Sequence, residues 1–140
     1  MADARLSAGQ FGLAYLAVIA TILVLDGLWL GVVARDLYKR EMGDLMADSV
    51  RIVPAAIFYL LYPMALIYLT AMTPPAGWGE ALLRGAVLGL AAYGAYDLTA
   101  LSVVRNWPLK LSLIDLAWGT VLSAAAAAAA YAVTWARSTP

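Results

Sequence analysis

Three aspartates lie within stretches of the sequence that are otherwise strongly apolar. They are Asp26 in ATILVLDGLWLG, Asp97 in LAAYGAYDLTALSVV and Asp115 in LKLSLIDLAWGTV. A charged side chain at the centre of a bilayer costs about 3 kcal/mol even on the most permissive insertion scales. Such residues generally face the interior of a helix bundle, where they hold protons, ions or ligands. The three carboxyl groups are therefore the candidate chemistry of this chain.

Each aspartate has an aromatic neighbour three or four positions away, a spacing that places both side chains on one helix face. A chamber of carboxylates, indoles and phenols suits a cation, an amine, or a lipid with a polar or unsaturated centre. We therefore predict that the three aspartates bind a ligand or a proton together with aromatic and hydroxyl side chains. These are Trp29, Trp118, Tyr59, Tyr62, Tyr93, Tyr96 and Thr99.

The composition excludes several other kinds of site. The sequence contains no cysteine and no histidine, so disulfides, thiol catalysis and the usual zinc and haem ligands are ruled out. The aspartates also lack the close spacing of a magnesium site. With nine basic and nine acidic residues the net charge is zero, which argues against a nucleic-acid partner. We expect no metal and no cofactor.

The elements that carry these residues are membrane-spanning helices. Hydrophobic residues make up 64% of the chain and the mean hydropathy is +0.82, whereas soluble domains average about 45–50% apolar residues. A spanning helix needs about 20 apolar residues, and four such stretches lie at about 11–34, 52–72, 80–104 and 109–135. The sequence predicts an all-α fold, an integral membrane four-helix bundle, with residues 1–140 forming a single domain.

The first apolar stretch has an alternative interpretation as a cleaved signal peptide. Val32, Val33 and Ala34 offer a small-residue ending of the kind found at cleavage sites. The stretch is too long for the apolar core of a signal peptide, and it contains Asp26. We therefore favour a spanning helix.

The basic residues predict the orientation of the helices. Six of them lie on the side of the first loop, namely Arg35, Lys39, Arg40, Arg51, Arg105 and Lys110. Three lie on the other side, namely Arg5, Arg84 and Arg137. The positive-inside rule then places both termini outside the cytoplasm. The same helix directions put all three aspartates on the first-loop side, roughly 10–12 Å from that boundary at 1.5 Å per residue.

Two further patterns concern packing. Gly85 and Gly89 on the third stretch, and the alanine run 124–130 on the fourth, allow close helix approach, either inside the bundle or in a homo-oligomer. In the first loop, Tyr38 and Met42 fall on one face amid charges, which favours a short interfacial helix. Gly43 weakens that helix.

Five separated motifs resemble a bacterial family of predicted membrane proteins, the domain of unknown function DUF2177. They are Asp26-x-x-Trp29-Leu-Gly31, Pro54-Ala55-Ala56-x-Phe58-Tyr59 with Tyr62, Tyr96-Asp97-Leu98-Thr99, Trp107-Pro108 and Asp115-x-x-Trp118-Gly119. The family commonly has asparagine after the Tyr-Asp-Leu-Thr run, where this chain has Ala100. The resemblance implies four helices in a bacterial inner membrane and implies no particular reaction.

Three functions are compatible with these features. The favoured one is a unit that binds or transports a small molecule, a proton or a cation, with membrane lipids around it. The second is a membrane enzyme that modifies a lipid or isoprenoid with an aspartate as general acid, so enzymatic activity is left open. The third is a structural or accessory subunit, in which the carboxylates pair with Arg51, Arg105 or Lys110 and only stabilise the bundle.

Overall fold

The computed structural model describes residues 4–138, and all regular structure within that range is helical. The helices are α1 (Ala8–Leu28), α2 (Arg35–Met42), α3 (Ile52–Thr70), α4 (Trp78–Val103) and α5 (Leu109–Thr134). A π-helical turn at Trp29–Val33 continues α1, and a 3-10 turn at Gly43–Leu45 follows α2.

Four of these helices are long and apolar enough to cross a membrane. They span Ala8–Val33, Ile52–Thr70, Trp78–Val103 and Leu109–Thr134, and large apolar side chains are exposed along each of them. Leucine and valine side chains on the outside of a bundle are suited to contact with lipid tails. The predicted all-α, four-helix membrane fold is confirmed, with α2 as a short additional helix in the first loop.

The ends of the helices follow local hydrogen bonding. α1 begins at Ala8, three residues before the predicted start, because Ser7 and Gln10 form a reciprocal capping box. At the far end of α3, the Arg84 guanidinium donates to the carbonyls of Thr70 (3.1 Å) and Thr73 (3.0 Å). These bonds satisfy carbonyls that the end of a helix leaves without an intrahelical donor.

The closest helix pair is α4 with α5. Gly85 and Gly89 lie directly against Ser123 and Ala127, and a Cβ atom at either glycine would overlap the α5 backbone or side chains. The Gly-x-x-x-Gly pattern is therefore used inside the bundle. The buried face of the alanine run, including Ala127, packs in the same core.

The four spanning helices form a ring in which α5 contacts α4 on one side and α1 on the other. α3 closes the ring between α1 and α4, and its contacts with both are less extensive than the α4–α5 seam. Within residues 4–138, the backbones of α1 and α4 lie on opposite sides of this ring, and α3 also contacts α5.

The π-helical turn redirects the chain after α1. The Ala34 N–H donates to the Trp29 carbonyl over 2.7 Å, five residues back, and α2 then folds against the start of α5. An ion pair between Lys110 Nζ and Glu41 Oε1 (3.6 Å) joins the two helices at their solvent-facing ends. α2 consequently lies over the end of the bundle that holds the aspartates.

Candidate carboxylate–aromatic site

The three aspartates are on three different helices at one end of the bundle. Asp26 is on α1, Asp97 on α4 and Asp115 on α5, each about 9–11 Å from the α2 side of its spanning segment at 1.5 Å per residue. Asp26 and Asp97 are buried and Asp115 is half-buried. We call this end of the bundle the acidic end.

The Asp26 carboxylate is held by donors from two other helices. The Tyr59 hydroxyl of α3 donates to Oδ2, and the Trp118 indole N–H of α5 donates to Oδ1 over 2.9 Å. Each carboxylate oxygen thus has a donor of its own. Asp26 joins α1, α3 and α5 through two side-chain hydrogen bonds.

Trp118 is also fixed by a stacking contact. Its ring lies parallel to that of Trp29, with centroids 4.5 Å apart and 6° between the planes. Trp29 begins the π-helical turn, so this stack connects the end of α1 to α5. The orientation of the indole N–H toward Asp26 follows from the stack.

Asp115 receives its hydrogen bond from α2. The Tyr38 hydroxyl donates to Asp115 Oδ1 over 2.6 Å. Burial of the Tyr38 phenol, together with this bond, raises the pKa of Tyr38 well above its ordinary value near 10. Tyr38 therefore stays a neutral donor across the physiological pH range.

Asp97 has a different environment. It is 1% exposed, and neither of its carboxyl oxygens accepts a hydrogen bond from an N–H or O–H group. The carboxyl group of Asp115, on the packed helix α5, interacts with it electrostatically. Nearby, the Trp107 indole donates to Ser112 Oγ (2.9 Å), and that hydroxyl contacts the Asp97 backbone carbonyl (3.5 Å).

No lysine or arginine in the described range pairs with the three aspartates. The ion pairs there are Arg84–Glu80 and Lys110–Glu41. Arg51 and Arg105 are exposed. The Asp26 and Asp115 carboxyl groups thus accept from phenol and indole donors rather than from cations.

A cavity of about 200 Å³ adjoins Asp115. Its lining consists of Phe58, Ala92, Tyr93, Tyr96 and Asp115, and we call it the Asp115 pocket. Phe58 and Tyr96 are 42% and 57% exposed, so the mouth of the pocket lies on the outer surface between α3 and α4.

Most of the residues proposed from the sequence meet at the acidic end, and three of them, Asp115, Tyr93 and Tyr96, line the Asp115 pocket. The Tyr62 hydroxyl is hydrogen-bonded to Ser123 Oγ (2.6 Å), deeper in the bundle, although its ring stacks on Phe58. Thr99 is exposed, and its hydroxyl donates back to the Ala95 carbonyl of its own helix. Thr99 therefore does not line the Asp115 pocket.

Three residues of the site were missing from the sequence-based set. Phe58 and Ala92 line the pocket, and Tyr38 bonds to Asp115. Phe58 directly precedes Tyr59, and Tyr38 was noted only for its place on an amphipathic segment. The part of the chain that the structure describes holds no cluster of carboxylates suited to a metal ion.

Comparison with known proteins gives a family and no characterised relative. Residues 11–132 match a family described as predicted membrane protein, DUF2177. No curated protein and no solved structure matches the chain. The matched range includes all three aspartates and every residue that lines the Asp115 pocket.

Proposed function

This chain belongs to the predicted membrane protein family DUF2177, and from that premise we propose that it binds a small organic cation in the Asp115 pocket. The protein is multi-pass, with four spanning helices. Its ligand is an amine or a quaternary ammonium group.

One observation carries this proposal. Asp115 is the charged member of a lining otherwise made of Phe58, Ala92, Tyr93 and Tyr96. A carboxylate beside aromatic rings attracts a cation by charge and by cation–π interaction, which contributes about 0.5–2 kcal/mol per contact. Aromatic surroundings of this kind are used to recognise quaternary ammonium ligands.

The size of the pocket limits the ligand. At about 200 Å³ it is smaller than the roughly 300–1,000 Å³ of ordinary small-molecule sites. It suits a compact charged head group. The ligand is then either a small free amine or the head of a lipid whose tails remain in the bilayer.

The charge distribution suggests from which side the ligand arrives. The six basic residues on the first-loop side favour a cytoplasmic location for that side, with both termini across the bacterial inner membrane. The Asp115 pocket then opens near the cytoplasmic leaflet, within reach of lipid head groups and of solutes in the cytoplasm.

The test is binding of tetramethylammonium, measured by calorimetry on protein in nanodiscs. The wild-type protein should bind, and Asp115→Asn should weaken binding at least about 30-fold, because removal of one member of a buried charge pair costs 2 kcal/mol or more. Asp48→Asn, the same change at an exposed position, is the matched control. Equal binding by Asp115→Asn and wild type would overturn the proposal.

Two further experiments show whether the cation is a lipid head group or a free amine, and whether it is transported or only bound. If tetramethylammonium binds in phosphatidylglycerol discs and phosphatidylcholine competes with it, the natural ligand is a lipid head group. If phosphatidylcholine has no effect, the ligand is a free amine. Uptake of labelled tetramethylammonium into proteoliposomes distinguishes transport from binding alone.

A lipid-modifying enzyme with an aspartate general acid is the second candidate. It is supported by the mouth of the pocket, which lies between the exposed residues Phe58 and Tyr96 on the surface available to lipid. A water-soluble and a hydrophobic carbodiimide separate the two candidates. A cation site open to water should react with the water-soluble reagent at Asp115 and be protected by tetramethylammonium. Labelling by the hydrophobic reagent alone would favour the enzyme.

A further inference from the structure

Asp97 and Asp115 form a carboxyl pair of which Asp115 lines the pocket, and we propose that this pair retains one proton, carried on Asp97. The pair then presents a single negative charge, so the site selects monovalent organic cations over divalent metal ions. The selectivity rests on the proposed cation binding, whereas the retained proton does not.

The proton follows from the hydrogen-bonding capacity of the two groups. An ionised carboxylate has only acceptors, and two carboxyl groups in contact form a hydrogen bond only if one of them is protonated. Asp97 is 1% exposed, no N–H or O–H donor reaches its carboxyl oxygens, and the Asp115 carboxyl group on the packed helix α5 interacts with it. A shared proton is what satisfies this buried group.

The surroundings decide which aspartate carries the proton. A hydrogen bond donated to a carboxyl group favours its ionised form, and Asp115 accepts one from Tyr38 of α2. Asp97 accepts none from an N–H or O–H group. Protonated Asp97 donates to Asp115, so Asp97 is a positioning residue for the carboxylate that meets the ligand.

The other titratable groups around the pair favour retention of the proton. Asp26 of α1 and the phenols of Tyr93 and Tyr96 on α4 all lie within electrostatic range of the acidic end. The cation Lys110 on α5 is paired with Glu41 of α2. A second negative charge on the pair would thus face acids and neutral phenols.

Charge selection is the consequence. A monovalent ammonium ion neutralises a pair with one negative charge. A divalent ion would leave one uncompensated positive charge in a lining of aromatic rings, and it would lose most of its oxygen ligands. The pocket therefore excludes Mg²⁺ and Ca²⁺.

Infrared spectroscopy of the protein in nanodiscs tests the proton without any ligand. Wild-type protein at neutral pH should show the C=O band of a protonated carboxylic acid, and Asp97→Asn should abolish it. Asp48→Asn should retain it, as the matched control at an exposed site. Absence of the band from wild type, or its persistence in Asp97→Asn, would overturn the proposal. If Asp97→Asn does not fold, a pH titration of the wild-type protein takes its place. The C=O band should be present at neutral pH and should disappear in one step as the pH rises. A neutral-pH spectrum without the band would overturn the retained proton.

Ligand binding tests the selectivity. Asp97→Asn supplies an amide donor in place of the protonated carboxyl, so its tetramethylammonium affinity should stay within about threefold of wild type. A loss of about tenfold or more would mean that Asp97 is charged in the complex.

Mg²⁺ should not compete with tetramethylammonium in wild type, and competition at similar concentrations would refute the single charge. An infrared band without any tetramethylammonium binding would support the retained proton and reject both the selectivity and the proposed function.

Discussion

Asp26 and the Asp97–Asp115 pair lie at the same end of the bundle, yet their carboxyl groups have opposite surroundings. Asp26 receives one donor on each oxygen, from Tyr59 and from Trp118. Asp97 receives none from an N–H or O–H group. Burial does not separate the two, because Asp26 is 8% exposed and Asp97 is 1% exposed.

The difference lies in unused hydrogen-bonding capacity. A carboxylate whose oxygens are both bonded to fixed side chains has little left for a ligand, and it acts as a joint between helices. A carboxyl pair in which Asp97 accepts from no N–H or O–H group, and in which Asp115 borders a cavity, still has capacity for a partner. Buried acids at one depth can therefore serve different purposes, and the number of donors around each one distinguishes them.

The same substitution at the two places should have unequal effects on stability. Asp26→Asn replaces an acceptor oxygen by an NH₂ group that faces donors, so we expect the free energy of unfolding to fall by about 2–3 kcal/mol. Asp97→Asn should change it by less than about 1 kcal/mol, because the amide can donate to Asp115 in place of the protonated carboxyl group. Unfolding in mixed detergent micelles measures both. Equal losses of unfolding free energy in the two variants would show that Asp26 and the Asp97–Asp115 pair do not differ in this way.

Removal of one donor from Asp26 should have a smaller effect. Tyr59→Phe leaves one carboxylate oxygen unsatisfied, and we expect a loss of about 1–2 kcal/mol in the free energy of unfolding. Tyr68→Phe on the same helix is the matched control, since Tyr68 is 66% exposed and should tolerate the change. A loss at Tyr68 as large as that at Tyr59 would show that the hydrogen bond to Asp26 is unimportant.

Alkaline pH should lower the stability of the protein through Tyr38, which is hydrogen-bonded to Asp115 of the carboxyl pair. The pKa of Tyr38 is raised by burial and by its bond to Asp115, so its contribution to stability is complete below the unfolded-state pKa near 10. Above that pH the unfolded tyrosine ionises first and the contribution declines by up to about 1.4 kcal/mol per pH unit. Tyr38→Phe should therefore show a shallower loss of stability between pH 10 and 12. Parallel curves for the two proteins would contradict this.

The smallest effect concerns ligand affinity. Tyr38→Phe removes one neutral donor from Asp115 and leaves Asp97 to orient the carboxylate, so tetramethylammonium affinity should fall by about threefold. Calorimetry on the same nanodisc samples measures the change. A loss comparable to that of Asp115→Asn would indicate that Tyr38, rather than Asp97, positions the carboxylate.

The fold class was accessible from the sequence because it depends on hydropathy and length. Four apolar stretches of about 20 residues predict four spanning helices, and a rise of 1.5 Å per residue places the aspartates near one depth. Both arguments use only distances along a helix. The Gly85–Gly89 surface was also identifiable, although its use inside the bundle depends on which helix meets it.

Contacts between helices were less accessible. Tyr38 reaches Asp115 only because the π-helical turn folds α2 back over α5, and no spacing in the sequence indicates that turn. Spacing alone did not separate Thr99 from the pocket: it is three residues after Tyr96 and on the same helix face, yet Tyr96 lines the pocket and Thr99 does not. Its hydroxyl also has a ready acceptor one turn back on the same helix.

The π-helical turn makes the acidic end sensitive to the length of the chain rather than to its composition. Leu30, Val32 and Val33 are exposed within the turn, so substitutions there should be tolerated over evolutionary time. Deletion of one residue would restore an ordinary helix and rotate everything that follows by about 100°. Asp26 would keep its place while Tyr38 turned away from Asp115. Relatives that lack this one residue would therefore keep the Asp26 hydrogen bonds that connect α1, α3 and α5, and they would lose the Tyr38 hydrogen bond to Asp115.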